Sequence, residues 1–218
     1  MFDKITIIGC GLIGSSLLRI IDKQKLSKTI NVFDKSKEAS EFIKKNFTAK
    51  VFNNVAESVS GSDLVIISSP LSSYKEILLS IKSSLKKDVI LTDTGSAKKE
   101  INKIISNLNL DHVHWISSHP IAGTEFSGPE SGFADLFKDR WCILSTELQK
   151  ETQQLSSLKK FWEALGSKVK FMSFNDHDYV LSLTSHLPHA IAYSIIRTVI
   201  KNDDKFKDEI IQYSASGL

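Results

Sequence analysis

Two cysteines in 218 residues leave almost no material for a disulfide framework. Cys10 sits inside a glycine-rich stretch and Cys142 in a β-rich run. That placement argues against a structural bridge and for a reducing compartment, with the cytoplasm as the default. No window approaches the roughly 20 apolar residues that a membrane span needs. The first apolar run, Ile5–Ile8, is short and follows Asp3, so no secretory leader is expected. Charge of one sign is scarce too: 28 Lys+Arg stand against 25 Asp+Glu, for a net charge of +3. This is too small a surplus to indicate a nucleic-acid partner. The lysine doublets Lys44-Lys45, Lys86-Lys87, Lys98-Lys99 and Lys159-Lys160 are dispersed, as on solvated helix faces and loops. Metal ligands at useful spacing are missing as well. His186 and His189 would need partners such as Asp176 or His177, and these make no convincing set, so no metal is expected.

What is present begins at the N-terminus. Ile5-Thr6-Ile7-Ile8 runs into Gly9-Cys10-Gly11-Leu12-Ile13-Gly14, and an apolar-periodic segment follows (Leu17, Leu18, Ile20, Ile21). Strand, tight turn and helix in that order are the context a dinucleotide-binding G-x-G-x-x-G requires. Gly9 suits the sharp turn, Gly11 the approach of a pyrophosphate, and Gly14 the packing of helix on strand. The N–H groups of the first helical turn, which Leu12 and Ile13 open, would hold phosphate oxygens. A second β-rich run, Thr29–Phe33, ends at Asp34. The fingerprint places its ribose-binding acid about 20 residues beyond the last glycine, where Asp34 falls. The alternative is a turn aspartate capping a Ser36–Asn46 helix. An acid there favours NAD over NADP, a preference that Lys35 and Ser36 would soften.

Up to about Ser118 the chain alternates β-rich runs (Lys4–Gly9, Thr29–Asp34, Lys50–Phe52, Leu64–Ser68, Val89–Asp93, Val113–Ser118) with helical segments near Leu12–Lys23, Lys37–Lys45, Tyr74–Ser84 and Lys98–Leu108. Such alternation predicts an α/β fold with a mostly parallel sheet of Rossmann type. Its ligand loops then follow the strands along one edge. Trp141–Leu144, a helix over Glu151–Leu165 stopped by Gly166, and a strand over Lys168–Met172 extend or flank the sheet. They close a first domain over residues 1–172.

Three of those loops carry chemistry. Ser69 and Pro70 end the fourth strand beside the expected cofactor path, although a plain strand-ending turn explains them equally well. Asp93-Thr94-Gly95-Ser96 follows the fifth strand, and Ser96 is either the N-cap of the next helix, a hydroxyl facing the cofactor edge, or both. Ser118-His119-Pro120 opens a stretch of small and polar residues reaching Gly128. His119 there is a candidate general base, since an ordinary imidazole titrates near pH 6.5, and a structural histidine is the alternative.

From residue 173 the texture turns helical, with segments over Asp176–Thr184, His189–Ile200 and Phe206–Ser214. Ser185-His186-Leu187-Pro188-His189 interrupts it, either as a helix start that puts His189 at a positive helix end, or as a proline kink in one long helix. The chain stops soon after an amphipathic helix, so this second, all-helical domain (173–218) is expected to be incomplete at its C-terminus.

With G-C-G-L-I-G-S-S at Gly9–Ser16, D-T-G-S-A-K at Asp93–Lys98, S-H-P-I-A-G-T-E at Ser118–Glu125 and S-H-L-P-H at Ser185–His189, the sequence resembles the prephenate/arogenate dehydrogenase family of tyrosine biosynthesis. The resemblance implies oxidative decarboxylation of a cyclohexadienyl acid with NAD, prephenate giving 4-hydroxyphenylpyruvate, or arogenate giving tyrosine. It implies that His119 accepts the ring-hydroxyl proton and Ser96 binds the same oxygen. His186 and His189 would line the substrate side, with Thr124 and Glu125 also contacting it or gating it. It further implies a homodimer through a complete helical domain, and a carboxylate-binding arginine that would lie past Leu218; Arg197 does not occupy that position. More distant readings are a β-hydroxyacid dehydrogenase, whose lysine-base motif is not evident, and a non-catalytic NAD sensor, which would leave the His119 and His189 segments unexplained.

Overall fold

A computed structural model describes residues 2–146 and 152–202 of the chain. It divides into two units, residues 1–175 and 176–218. The first is built on six parallel strands: β1 (Lys4–Ile8), β2 (Thr29–Phe33), β3 (Lys50–Phe52), β4 (Leu64–Ile67), β5 (Val89–Asp93) and β6 (Val113–Trp115), in the order β3-β2-β1-β4-β5-β6. Residues of β4 and β5 are buried without alternation, the signature of strands covered on both faces.

The covering helices are α1 (Leu12–Lys23), α2 (Lys37–Asn46), α3 (Val55–Val59), α4 (Tyr74–Ile81), α5 (Lys99–Ser106) and α6 (Gln153–Ala164). One apolar cluster joins Leu17, Leu18 and Ile21 of α1 to Leu158, Phe161 and Trp162 of α6. A second, on Tyr74, Leu78 and Ile81 of α4 with Ile101 and Ile105 of α5, covers Val65, Ile67, Val89 and Leu91. Ser36 caps α2 by accepting the Ala39 N–H, and Thr152 caps α6 by accepting that of Leu155. Gly166, at φ +90°, ends α6.

The run expected as a single strand over Val113–Ser118 is two. After β6 the chain leaves the parallel sheet at Ile116 and enters a second sheet as β7 (Ser117–Pro120), antiparallel to β8 (Trp141–Ser145), which is parallel to β9 (Lys168–Phe171). His119 therefore lies on a strand, opposite Ile143, and not in a loop. Ile116 still donates its N–H to Leu91 O, so β7 starts beside β5 without laddering to it.

The helical run from Phe174 is unbroken to Asn202: α7 (Phe174–Leu181), one π-helical stretch (Ser182–His186) and α8 (Leu187–Asn202). The expected interruption at Ser185–His189 is this π turn, in which Leu187 N–H reaches back to Ser182 O. A wider turn relieves the clash between a proline ring and the carbonyl one turn back, and Pro188 needs no N–H partner. No helix start is exposed there, so His189 does not stand at a positive helix end. His186 and His189 are both exposed. The segment expected as a helix over Phe206–Ser214 lies outside the described residues. No helix among the described residues is long and apolar enough to cross a membrane.

Candidate active site

After β1, β4 and β5 the next residue's N–H continues the ladder onto the neighbouring strand. Gly9 N donates to Phe33 O (2.8 Å), Ser68 N to Ile8 O (2.7 Å) and Thr94 N to Ile67 O (3.0 Å). The loops after β1, β4 and β5 are thereby fixed along one sheet edge, and the β1/β4 boundary is the point where strand order reverses. Open α/β sheets bind ligands there. A cleft of about 460 Å³ occupies this position, bounded by Gly9 and Gly11, by Asp34 and by Ser69 and Pro70. A second hollow of about 540 Å³ shares Gly11 and Asp34 with it and is bounded by Glu38 and Pro129.

The glycines differ in what they do. Gly9 takes φ +90°, and a side chain on it would strike the Ser68 carbonyl at 2.7 Å. On Gly14 it would sit 2.0 Å from Gly9 O, so the helix can lie on its strand only without one. Nothing lies within 4 Å of the corresponding point on Gly11, which faces open space. Gly11 is also the N-cap of α1, with no side chain capping it and no acid in the first turn. No side chain satisfies the first N–H groups of that turn, and the helix dipole favours an anion there.

Asp34 is tied to this turn. One of its oxygens accepts the Cys10 N–H at 2.6 Å and the other accepts the Ser36 N–H at 2.8 Å. Ser36, not Asp34, caps α2. The Ser36 hydroxyl also donates to Glu38 and holds that carboxyl below its ordinary range. Two carboxylates on this rim repel a 2′-phosphate, so the residues fit NAD. Cys10 is no nucleophile: burial, with the Asp34 charge adding to it, pushes its thiol far above the ordinary value.

Past β5 the arrangement departs from what composition suggested. Lys98, expected on a solvated face with Lys99, is wholly buried and paired with the wholly buried Asp93 at 2.8 Å. Its ammonium also donates to Ser118 O at 2.6 Å. The other Asp93 oxygen accepts from Ser117 Oγ (2.6 Å) and Ser118 N (3.1 Å), while the lysine-bonded one also accepts Gly95 N (2.9 Å). Ser118 Oγ bonds Thr92 Oγ1 at 2.6 Å and accepts from Trp162 Nε1 at 3.1 Å. Removing one member of such a pair costs about 3–5 kcal/mol, because the other is left charged and buried. Burial, with Asp93 adding to it, also pushes the nearby Tyr74 phenol up. Lys98, not Ser96, is the N-cap position of α5, and it caps with no side-chain bond. Ser96 is exposed and His119 half-buried.

Between β7 and β8 the chain makes an excursion that carries Thr124 and Glu125, both exposed. Thr124 Oγ1 accepts the Phe126 N–H. The excursion is fastened to α1: Phe133 N–H donates to Ser16 Oγ (3.1 Å) and Arg19 Nη1 to Pro129 O (3.0 Å). Gly132 fits where a side chain would meet Ser15 Oγ at 2.1 Å and Ser16 N at 3.0 Å. Sequence reasoning missed this seam and the pair under β7. The available signal was a strand-ending Asp93 with a lysine five positions on, both outside any amphipathic pattern.

A parallel sheet of order 3-2-1-4-5-6, an uncapped glycine turn at its switch point and an acid just past β2 define a dinucleotide-binding domain of the Rossmann class. Residues 18–171 match the prephenate dehydrogenase nucleotide-binding domain and residues 173–218 the prephenate dehydrogenase dimerization domain. The chain belongs to the prephenate dehydrogenase family. It is 38% identical to the cyclohexadienyl dehydrogenase of Zymomonas mobilis over 100% of its own length and 74% of that protein. To the prephenate dehydrogenase of Lactococcus lactis it is 30% identical, over 98% of this chain and 58% of that one. The crystal structure of Aquifex aeolicus prephenate dehydrogenase in complex with hydroxyphenyl propionate and NAD+ superposes with a TM-score of 0.87 at 28% identity, covering 100% of this chain and 76% of that one.

Proposed function

We propose that this protein oxidatively decarboxylates prephenate to 4-hydroxyphenylpyruvate with NAD+, as a step of tyrosine biosynthesis. The observation that carries the reading is the Asp93 carboxylate. It accepts from the peptide N–H groups of Gly95 and Ser118, and so ties the turn bearing Ser96 to the strand bearing His119. Membership of the family supports the substrate class.

Gly11, with the first-turn N–H groups of Leu12 and Ile13, holds the pyrophosphate, and Gly9 and Gly14 give the sharp turn and close helix packing that present them. Asp34 takes the ribose hydroxyls, and Ser69 and Pro70 wall the cofactor cleft. Bound NAD+ supplies the hydride acceptor for the ring carbon that carries the hydroxyl. His119 accepts the hydroxyl proton as the ring carbonyl forms. When CO2 leaves, its bonding pair enters the ring, and His119 returns the proton to the phenolate oxygen. Ser96 hydrogen-bonds the same oxygen and keeps it facing the imidazole. Aromatisation supplies the driving force, so the protein's work is positioning and proton transfer. His186 and His189 contribute polar groups to the substrate, and Thr124 and Glu125 form a polar gate to it. The exposed apolar residues of α8, Leu187, Ile191 and Ile195 among them, meet a second copy of the chain.

Arogenate, which carries an amino group where prephenate has a keto group, is the second substrate reading; the name of the Zymomonas mobilis relative denotes the ring the two acids share. The test offers each acid with NAD+ and with NADP+ and follows reduced cofactor together with CO2. Turnover of a cyclohexadienyl acid with NAD+, fastest for prephenate, is expected. Binding of NAD+ without turnover of either acid would refute the reading.

A further inference from the structure

β7 ladders on one side only, to β8, and its other edge faces the end of β5 with no strand pairing. What replaces the ladder is a pair of charged side chains. Lys98 Nζ binds the Ser118 carbonyl and Asp93 binds the Ser118 N–H, so both backbone polar groups of the residue before His119 are held by one buried ion pair. The Ser118 side chain is held as well, by Thr92 and Trp162. Side chains alternate along a strand, so anchoring Ser118 inward on its backbone and side chain sets the direction in which the next residue projects. A buried pair of this kind is seldom the most stable filling for its volume, because two ions must be stripped of water.

We infer that Asp93 and Lys98 are positioning residues for His119. They fix the imidazole against the Ser96 turn, which the same carboxylate holds through Gly95 N–H. This rests on the reading of His119 as proton acceptor. Neither residue touches substrate or cofactor in this account; both act through the backbone on either side of the base.

The experiment compares wild type, the double variant Asp93→Asn/Lys98→Met, Ser117→Ala, and the double variant combined with His119→Asn, all in the intact protein. Asn and Met conserve volume and remove both charges together, so neither ion is stranded. Ser117→Ala removes only the 2.6 Å bond to Asp93 and covers the case in which the double variant fails to fold. A displacement of about 1 Å at a reacting group costs on the order of 100-fold. The double variant should therefore lose roughly 30-fold or more in kcat, with Ser117→Ala losing about 3- to 10-fold. KM for prephenate and Kd for NAD+ should stay within about threefold, and hydrogen exchange at the Ser118 amide should quicken. In the His119→Asn background the double change should cost less than about threefold more, since residues that act through one group are not additive. Folded variants with wild-type kcat and wild-type exchange at Ser118 would overturn the inference, as would a full additional loss on top of His119→Asn. Failure of wild type itself to oxidise either acid would instead overturn the functional reading, and the exchange measurement would still decide whether the pair holds β7.

Discussion

The Gly14 α-carbon faces the Gly9 carbonyl so closely that a methyl group there would lie 2.0 Å from the oxygen, whereas the same point on Gly11 meets nothing within 4 Å. Two alanine substitutions three positions apart therefore have opposite consequences. Gly14→Ala overpacks the helix–strand contact, for which about 1–3 kcal/mol is usual. In a chain of this size that lowers Tm by roughly 2–12 °C. Gly11→Ala leaves Tm unchanged to within about 1 °C but intrudes on the pyrophosphate, and NAD+ affinity falls about tenfold or more. Thermal melts with and without NAD+ check both.

Gly132 is the equivalent point in the seam between α1 and the excursion bearing Thr124 and Glu125. Gly132→Ala should push that excursion off Ser15 and Ser16, raising KM for the ring acid by about 3- to 10-fold while kcat changes less. Steady-state kinetics at saturating NAD+ separates the two parameters.

Both cysteines are buried and unpaired, and burial raises both thiols. A raised thiol value keeps sulfur protonated at neutral and mildly alkaline pH, and the thiolate is the reactive species. Neither cysteine should react with a disulfide reagent at pH 8 in the folded protein. Both should react at once in denaturant, as thiol titration reads directly.

Asp63 provides the pH test. Burial alone would raise its carboxyl, but hydrogen bonds from Lys86 Nζ and Lys4 N–H outweigh that and bring it below the ordinary value. A carboxyl lower in the folded than in the unfolded state stabilises above its unfolded value and loses the effect as pH falls through its folded one. Wild type should melt above Asp63→Asn at pH 7, by an amount worth less than about 1 kcal/mol for so accessible a pair. The gap should close as pH falls from about 4 through the lowered folded-state value, and shrink in high salt.

Much of the fold is legible in the sequence because local and tertiary preferences agree there. β3, β5 and α1 have the bounds that pattern alone assigns. The glycine turn and Asp34 fall where the fingerprint puts them. Where the sequence misleads, a tertiary contact decides. Val113–Ser118 reads as one strand because both halves suit a strand; only the choice of neighbour splits it at Ile116. Lys98 reads as solvent-facing because lysine nearly always is, and its spacing from Asp93 is too weak a signal to outweigh that expectation. α3, five residues long, is too short to show a helical period, although Asn54 caps it by accepting from Ala56 and Glu57. Pro188 signals a break, and the helix absorbs it with a π turn.

The proposed reaction turns on a single proton acceptor, His119. Its most direct test is single-turnover reduction of NAD+ by prephenate in His119→Asn, with NAD+ affinity measured on the same sample by tryptophan fluorescence. The prediction is a rate lower by about 100-fold or more with Kd for NAD+ within about threefold of wild type. An unchanged rate, or an equal loss of turnover and NAD+ binding, would contradict it.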